Sequence, residues 1–345
     1  MKSLIYLFIV TTLLLSCSKR ETVKWRLQSH AGKSSIDFKE LVTFSENIKK
    51  MSNETFVIEV YSGGEIVGGA KIFEAVRSGE VEMGNGWPNW WSAQHPSWAV
   101  MNAGPFDFMN LDASMMFFLA GEGTELANEL ASKVGLAWRP AWWPGMEFGL
   151  LSTKPIKGLS DLKGKRVRIG PGLPSEVMSD AAKSLSIPLV PSEIRPSLES
   201  GAIDAVEWTT ANGVLDLGLE DLATNAIVPA IWQPSVLSDF LINEESLKKL
   251  SESHRTILET AIKAYTLTTT LKAKVKDMES LETLKSRGVV FNKWSTTDLE
   301  KWRKSSDKIY DEYKKHDEFS KRLINSKQQF KSEYNKYYEL FKNYE

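Results

Sequence analysis

Hydrophobic and polar positions along the chain fall into short extended runs separated by helical periods. Val23–Leu27 reads as a strand, and across Asp37–Met51 the residues Phe38, Leu41, Val42, Ser45 and Ile48 share one helical face. A strand over Val57–Tyr61 runs into Ser62-Gly63-Gly64, a turn signal; a short helix over Ile72–Ser78 and a strand over Glu80–Asn85 follow. The same grammar restarts near Glu147. It predicts strands at Phe148–Ser152, Arg166–Ile169, Leu189–Val190 and Ala205–Trp208. Between them fall a turn with a short helix over Gly158–Gly164, a helix over Pro174–Ser186 and a helical turn at Ser197–Ser200. Ile227–Trp232 and Val236–Ile242 read as strands returning to the first unit. From Glu244 to about Arg287 the pattern predicts a long helix, with Leu247, Leu250, Ile257, Leu258, Ala261 and Tyr265 on one stripe, and Val289–Phe291 is a last strand. Thr297 and Glu300 fit a capping box for the next helix. Phe330, Tyr334, Tyr337, Tyr338 and Phe341 recur at helical spacing, so the Lys-, Glu- and Tyr-rich tail is expected to pack back on the body.

Alternation of strand and helix argues for an α/β fold with a largely parallel sheet, and the fold expected for the whole chain is an α/β clamshell with mixed sheets. A length of 345 residues predicts about two domains. The pattern divides them as residues 23–146 with about 236–290 in one, and residues 147–235, completed by C-terminal helices within 296–345, in the other. Two α/β units joined by more than one crossing make a hinged clamshell. Ligands bind in such a crevice because the carboxyl ends of strands and the N-termini of helices face it.

Composition removes several function classes. With 43 basic and 44 acidic residues the chain lacks the basic excess of a nucleic-acid-binding protein, so no nucleic-acid partner is expected. The four histidines, His30, His95, His254 and His316, stand in no metal-binding or triad-like spacing. Twelve tryptophans are many for this length, and their ring area must enter cores, a cleft or an interface. At the N-terminus, Lys2, the apolar run Leu4–Leu15 and the small residue Ser16 form a signal peptide over residues 1–16, too short for the roughly 20 apolar residues of a membrane span. The only cysteine, Cys17, follows directly, and Leu14-Leu15-Ser16-Cys17 resembles a lipobox. This predicts an extracytoplasmic protein held to the membrane by lipid on Cys17, with residues 17–22 as a tether.

The chemistry concentrates between Met146 and Pro234. Asp161-Leu162-Lys163-Gly164-Lys165 leads into a strand that breaks at Gly170-Pro171-Gly172. Arg166 and Arg168 share a strand face, so spacing alone does not choose between them as the anchor of a planar carboxylate. The turn lacks the downstream glycine and Lys-Ser/Thr of a phosphate cradle. Further on comes Pro196-Ser197-Leu198-Glu199-Ser200-Gly201-Ala202-Ile203-Asp204-Ala205-Val206-Glu207-Trp208. With Pro171-Gly172, Glu176, Glu193-Ile194, the earlier Gly64-Glu65-Ile66, Phe73-Glu74-Ala75-Val76, Met83-Gly84 and Pro105-Phe106, this order resembles the DctP-like solute receptors of tripartite ATP-independent periplasmic (TRAP) transporters. The nearest subgroup is the one that binds 2-oxo and 2-hydroxy acids.

The resemblance covers nearly the whole mature chain and is strongest from Asp161 to Trp208. It implies a receptor that closes on a small organic acid and delivers it to membrane permease subunits, with a long helix crossing both domains. It assigns Arg168 to the ligand carboxylate and Trp208 to one wall of the cleft, with one of Trp90 or Trp91 opposite and Asn212 within reach. It also implies a sodium or calcium ion held by oxygens of Glu147, Glu207, Gln233 and the Trp208 carbonyl, as a hard cation requires. Relatives tend to carry Gln at the place of Glu147 and Glu at that of Gln233, a swap that conserves charge if both residues reach the site. No cofactor is required, and a homodimer is left open. The readings from other classes are a secreted enzyme using Glu147 and Glu207 as a carboxylate pair, and a receptor for an ATP-driven importer or a chemosensor.

Overall fold

The computed structural model describes residues 22–341; the predicted signal peptide and Cys17 lie outside the described residues. Eleven strands among these residues form two mixed sheets. They are β1 Val23–Ser29, β2 Phe56–Tyr61, β3 Met83–Gly86, β4 Leu136–Trp142, β5 Leu150–Ser152, β6 Arg166–Arg168, β7 Leu185–Ile187, β8 Ala205–Glu207, β9 Asn225–Val228, β10 Ser238–Asn243 and β11 Val290–Lys293. The first sheet runs β2-β1-β3-β10-β4, with β1 parallel to β2 and β3, and β10 antiparallel to β3 and β4. The second runs β11-β9-β5-β8-β6-β7, with β6 parallel to β7 and β8, β11 parallel to β9, and β5 antiparallel to its neighbours. Helices cover both sheets, giving the α/β clamshell expected, with a cleft between two lobes.

Each sheet carries its own apolar core. Trp25, Leu27, Phe56, Ile58 and Phe240 pack against Leu41, Phe44 and Ile48 of the helix Ile36–Met51, whose N-cap Ser35 accepts from the Phe38 amide. Phe44 rather than Val42 belongs to the buried face of that helix. In the second lobe Val167, Ile169, Val177 and Ala205 pack with Trp232, Trp294 and Trp302.

The chain crosses between lobes through residues 143–149, through residues 229–237, and along the 35-residue helix Glu252–Ser286, about 52 Å long at 1.5 Å per residue. That helix contacts Ile36–Met51 in the first lobe and the short helix Ala211–Asp216 in the second. It starts later than the pattern suggests because Ser251 caps it, accepting from the His254 amide, and separates it from a short helix over Glu244–Lys249.

Several elements fall elsewhere than expected. Pro191–Glu199 is a full helix, and the strand expected at Leu189–Val190 lies at Leu185–Ile187, because the preceding helix stops at Lys183 with φ of +53°. β9, which overlaps the stretch Ile227–Trp232 read as returning to the first unit, belongs to the second sheet, beside β11. The cap of Thr296–His316 is Ser295, which accepts from the Asp298 amide, not Thr297. The C-terminal helices split. Thr296–His316 packs on Leu173–Ala182 in the second lobe, whereas Glu318–Tyr338 packs on Ser97–Asn102 and Leu111–Leu119 in the first. In the tail, Phe330 and Tyr334 pack against the body, and Tyr337, Tyr338 and Phe341 remain exposed.

Candidate functional site

β6 and β8 run parallel, and their carboxyl ends open into the cleft. This separates the two arginines. Arg166, at the start of β6, is spent on Asp204, to which its Nε and Nη2 donate at 3.1 Å each. Arg168, at the end, is 3% exposed and reaches the interior of the cleft. Its Nη1 donates to the Glu207 carbonyl at 2.6 Å and to Glu207 Oε2 at 3.0 Å, while Nε and Nη2 donate to the Leu189 carbonyl at 3.3 and 3.1 Å. The guanidinium also stacks on the Trp208 ring, 4.9 Å from its centroid. Most of its donors are therefore engaged, and a single N–H on Nη2 is left for a ligand. The bidentate fork expected for a ligand carboxylate is already filled by the protein.

Glu207 Oε2 also accepts from the Gly170 amide, and its Oε1 accepts from Gln233 Nε2 at 3.0 Å. Glu147 stands against Glu207 and is 2% exposed, which excludes a solvated loop carboxylate. Burial, then the charge and hydrogen bond of Glu207, push its carboxyl well above the usual range, and the Arg168 charge opposes this. Burial pulls Arg168 below its ordinary value, while Glu207 and Glu147 draw it back up.

Glu147 and Gln233 come from the two interlobe segments. These run side by side: the Glu147 amide donates to the Pro234 carbonyl at 2.8 Å, and the Ala230 amide to the Glu147 carbonyl at 3.4 Å. Glu147 Oε2 and Gln233 Oε1 are buried without a hydrogen-bond partner. Two carboxyl groups face one guanidinium here, and two oxygens lack donors. That donor set suits a hard cation, which takes oxygen ligands and supplies the missing positive charge. No group of three or more His, Cys, Asp or Glu that could hold a metal occurs among the described residues, so the set is two carboxyls and an amide rather than a soft-metal site.

These residues line a chamber of about 30 Å³ together with Asn89, Trp90, Trp208 and Thr209. Trp208 is positioned by an unusual bend: Thr209 has φ of +37°, and Gly213 has no Cβ because one would collide with Thr209 Oγ1. Trp90, from the first lobe, and Trp208, from the second, both line the chamber. Trp91 does not, because its ring is buried in the first lobe with Nε1 donating to Asp239 Oδ2 at 3.0 Å. Asn212 lines the outer cleft, where its Nδ2 donates to Asp216 and its Oδ1 accepts from Ser280. Sequence reasoning missed Asn89. Its Nδ2 donates to the Pro171 carbonyl across the lobes at 3.2 Å, and its Oδ1 accepts from Asn102 at 2.7 Å.

Residues 27–316 match the family model described as DctP, bacterial extracellular solute-binding protein, family 7. The monocarboxylate 2-oxoacid-binding periplasmic protein of a Nostoc species is 29% identical over 311 residues, covering 88% of this chain and 85% of that one. A TRAP transporter solute-binding protein of Bordetella bronchiseptica, solved with calcium and picolinate, superposes with a TM-score of 0.89 at 21% identity, covering 94% of this chain and 96% of that one. One from Pseudoalteromonas atlantica, solved with sodium and pyruvate, gives 0.88 at 21% identity, covering 94% and 98%. At these identities the structures establish the fold. The chain belongs to family 7 of the bacterial extracellular solute-binding proteins, the DctP family.

Proposed function

We propose that this chain is the extracytoplasmic receptor of a TRAP transporter, and that it binds a 2-oxo or 2-hydroxy monocarboxylate together with sodium or calcium. The observation that carries the reading is the buried Arg168–Glu207–Glu147–Gln233 cluster with its two unpartnered oxygens. The ligand carboxylate accepts a hydrogen bond from the remaining Nη2 N–H of Arg168, beside the Trp90 and Trp208 walls. Glu147, Glu207, Gln233 and the Trp208 carbonyl would hold the cation, which would supply positive charge beside the bound acid. The Nostoc relative, named as binding monocarboxylate 2-oxoacids, and the ligands of the two solved structures support the same class. The two lobes are the two halves of the clamp, lipid on Cys17 tethers it outside the cytoplasm, and a second copy pairs along the long helix. A glycosidase reading is disfavoured, because Glu147 and Glu207 stand in contact rather than the roughly 5 Å or more apart that glycoside chemistry needs.

A thermal-shift screen of mono- and dicarboxylates, each with sodium, with calcium and with chelator, tests this. A ligand that binds only the native state raises the melting temperature with the logarithm of its concentration over Kd. Stabilisation by a 2-oxo or 2-hydroxy acid that chelator and sodium withdrawal abolish is the expected result. Stabilisation by dicarboxylates alone, or by no acid, would overturn it.

A further inference from the structure

Beyond the small chamber the cleft holds a second cavity of about 440 Å³, adjacent to the first, with Trp87, Trp90, Trp208 and Thr209 lining both. A three-carbon acid would occupy little of that space. The walls are aromatic, with Trp142 added to the shared tryptophans, and the backbone of Gly69 lies so close to Trp90 that a Cβ there would meet the ring at 2.6 Å. The charged and titratable residues lining this outer cavity, among the described residues, are His30, Asp37 and Asp216; no Lys or Arg lines it. Asp37, from the first lobe, is 4% exposed, and its Oδ2 has no hydrogen-bond partner. His30 Nε2 is 3.5 Å away and also unpartnered. Burial pulls the His30 ring below its ordinary value more than Asp37 raises it, so near neutral pH it gives Asp37 little positive charge. Asp216 faces the cavity from the second lobe, where solvent still reaches it. Partial burial in the cleft first, and the charge of Asp37 second, raise its carboxyl, against the hydrogen bond from Asn212 and the charges of Lys39 and Lys276.

Resting on the proposed receptor reading, we infer that the natural ligand is a 2-oxo or 2-hydroxy acid with a chain ending in a cationic group, and that Asp37 and Asp216 bind that group from opposite lobes. The carboxylate end lies at Arg168 and the aliphatic chain runs between Trp90 and Trp208. The terminal cation lies among aromatic faces and two carboxylates, where ion pairing and cation–π attraction add. Because the carboxylates belong to different lobes, such a tail also favours the closed clamp.

Isothermal titration of the purified protein with pyruvate, 2-hydroxyheptanoate, 2-hydroxyadipate and 2-hydroxy-5-guanidinopentanoate tests the inference. The guanidino acid is expected to bind at least about tenfold more tightly than the neutral acid of similar length, with the diacid weakest. Asp37→Asn and Asp216→Asn should each erase most of that preference while pyruvate affinity stays within about twofold. Asp216 is exposed, so its variant reports even if the buried Asp37 variant fails to fold. Pyruvate binding without a preference for the guanidino acid, or a preference that survives both substitutions, overturns the tail subsite and leaves the receptor reading standing. Failure of every acid, pyruvate included, overturns both.

Discussion

Asp239 is completely buried on β10 of the first sheet, with Trp91 and Trp138 donating to its Oδ2 at 3.0 and 2.8 Å and nothing donating to Oδ1. Burial raises its carboxyl to about 7 in spite of the two indoles. A carboxyl raised from an unfolded value near 3.9 stabilises the fold fully below that value, and the contribution is lost as pH rises through the folded one. Between about pH 4 and 7 the loss is of order 2–4 kcal/mol. Asp277, raised to about 6, acts in the same direction and His30 in the opposite one, so the decisive quantity is a difference between proteins. Asp239→Asn should lower stability overall yet lose less melting temperature than the natural chain between pH 5 and 8; equal slopes would refute the assignment. Glu147→Gln carries a second expectation. Relieving a buried carboxyl that faces Glu207 should raise the melting temperature without ligand, while the calcium- or sodium-dependent part of the ligand shift shrinks; an undiminished cation dependence would remove Glu147 from the cation site. The residues of this cluster were nameable from sequence because they stand at strand ends or beside glycine and proline. Their hydrogen bonds were not. That Arg168 is largely spent on Glu207 and Leu189, or that Trp91 serves Asp239 148 positions away, depends on contacts no local pattern carries.

Among the elements, legibility followed amphipathicity. Strands and helices with one wet and one dry face, such as Ile36–Met51 and Ile72–Ser78, stood out by period. The stretch from Ser97 to Trp142 did not. All six residues of the helix Ser97–Asn102 are buried, and β4 is buried on both faces with Pro140 inside it, so neither shows an alternation to detect. The long helix shows the converse. One side, Leu258, Ala261, Ile262, Tyr265 and Ala273, enters the core, while Leu267, Leu271, Val275 and Met278 form a second apolar stripe, each more than half exposed. Spacing of four, four and three residues puts them on one line. An uninterrupted exposed stripe is the kind of surface that a second copy covers. Light scattering after gel filtration is expected to find a dimer of the natural chain and a monomer of Leu271→Lys with unchanged ligand affinity. A monomer in both cases would assign the stripe to another partner.

At the scale of the whole molecule the site is assembled by the crossings between lobes. Glu147 and Gln233 lie on the two interlobe segments, Arg168 and Glu207 at strand ends of the second lobe, and Asn89 and Trp90 in the first. A hinge motion would therefore change the proposed cation oxygens, the aromatic walls and the Asn89–Pro171 hydrogen bond together. A ligand that touches both lobes favours closure by its differential affinity for the two states and by no more than that. Gly170 offers a way to alter that equilibrium with little other change. It lies at the lobe boundary without a positive φ, and a Cβ added there would come within 2.9 Å of Asn89 Nδ2. Asn89 has little room to yield, being 4% exposed and tied to both Pro171 and Asn102. Opening the lobes by a few tenths of an ångström would relieve the clash. Gly170→Ala is thus expected to leave the ligand-free melting temperature within a degree or so while weakening acid binding about tenfold or more, since about 1.4 kcal/mol against the closed form is a factor of ten. Small-angle scattering separates this from simple obstruction of the chamber. At saturating ligand the variant should keep a larger radius of gyration than the natural protein, because closure itself is opposed. Full compaction at saturation, with weakened affinity, would mean that the methyl group acts on the ligand and that the lobes close as freely as before.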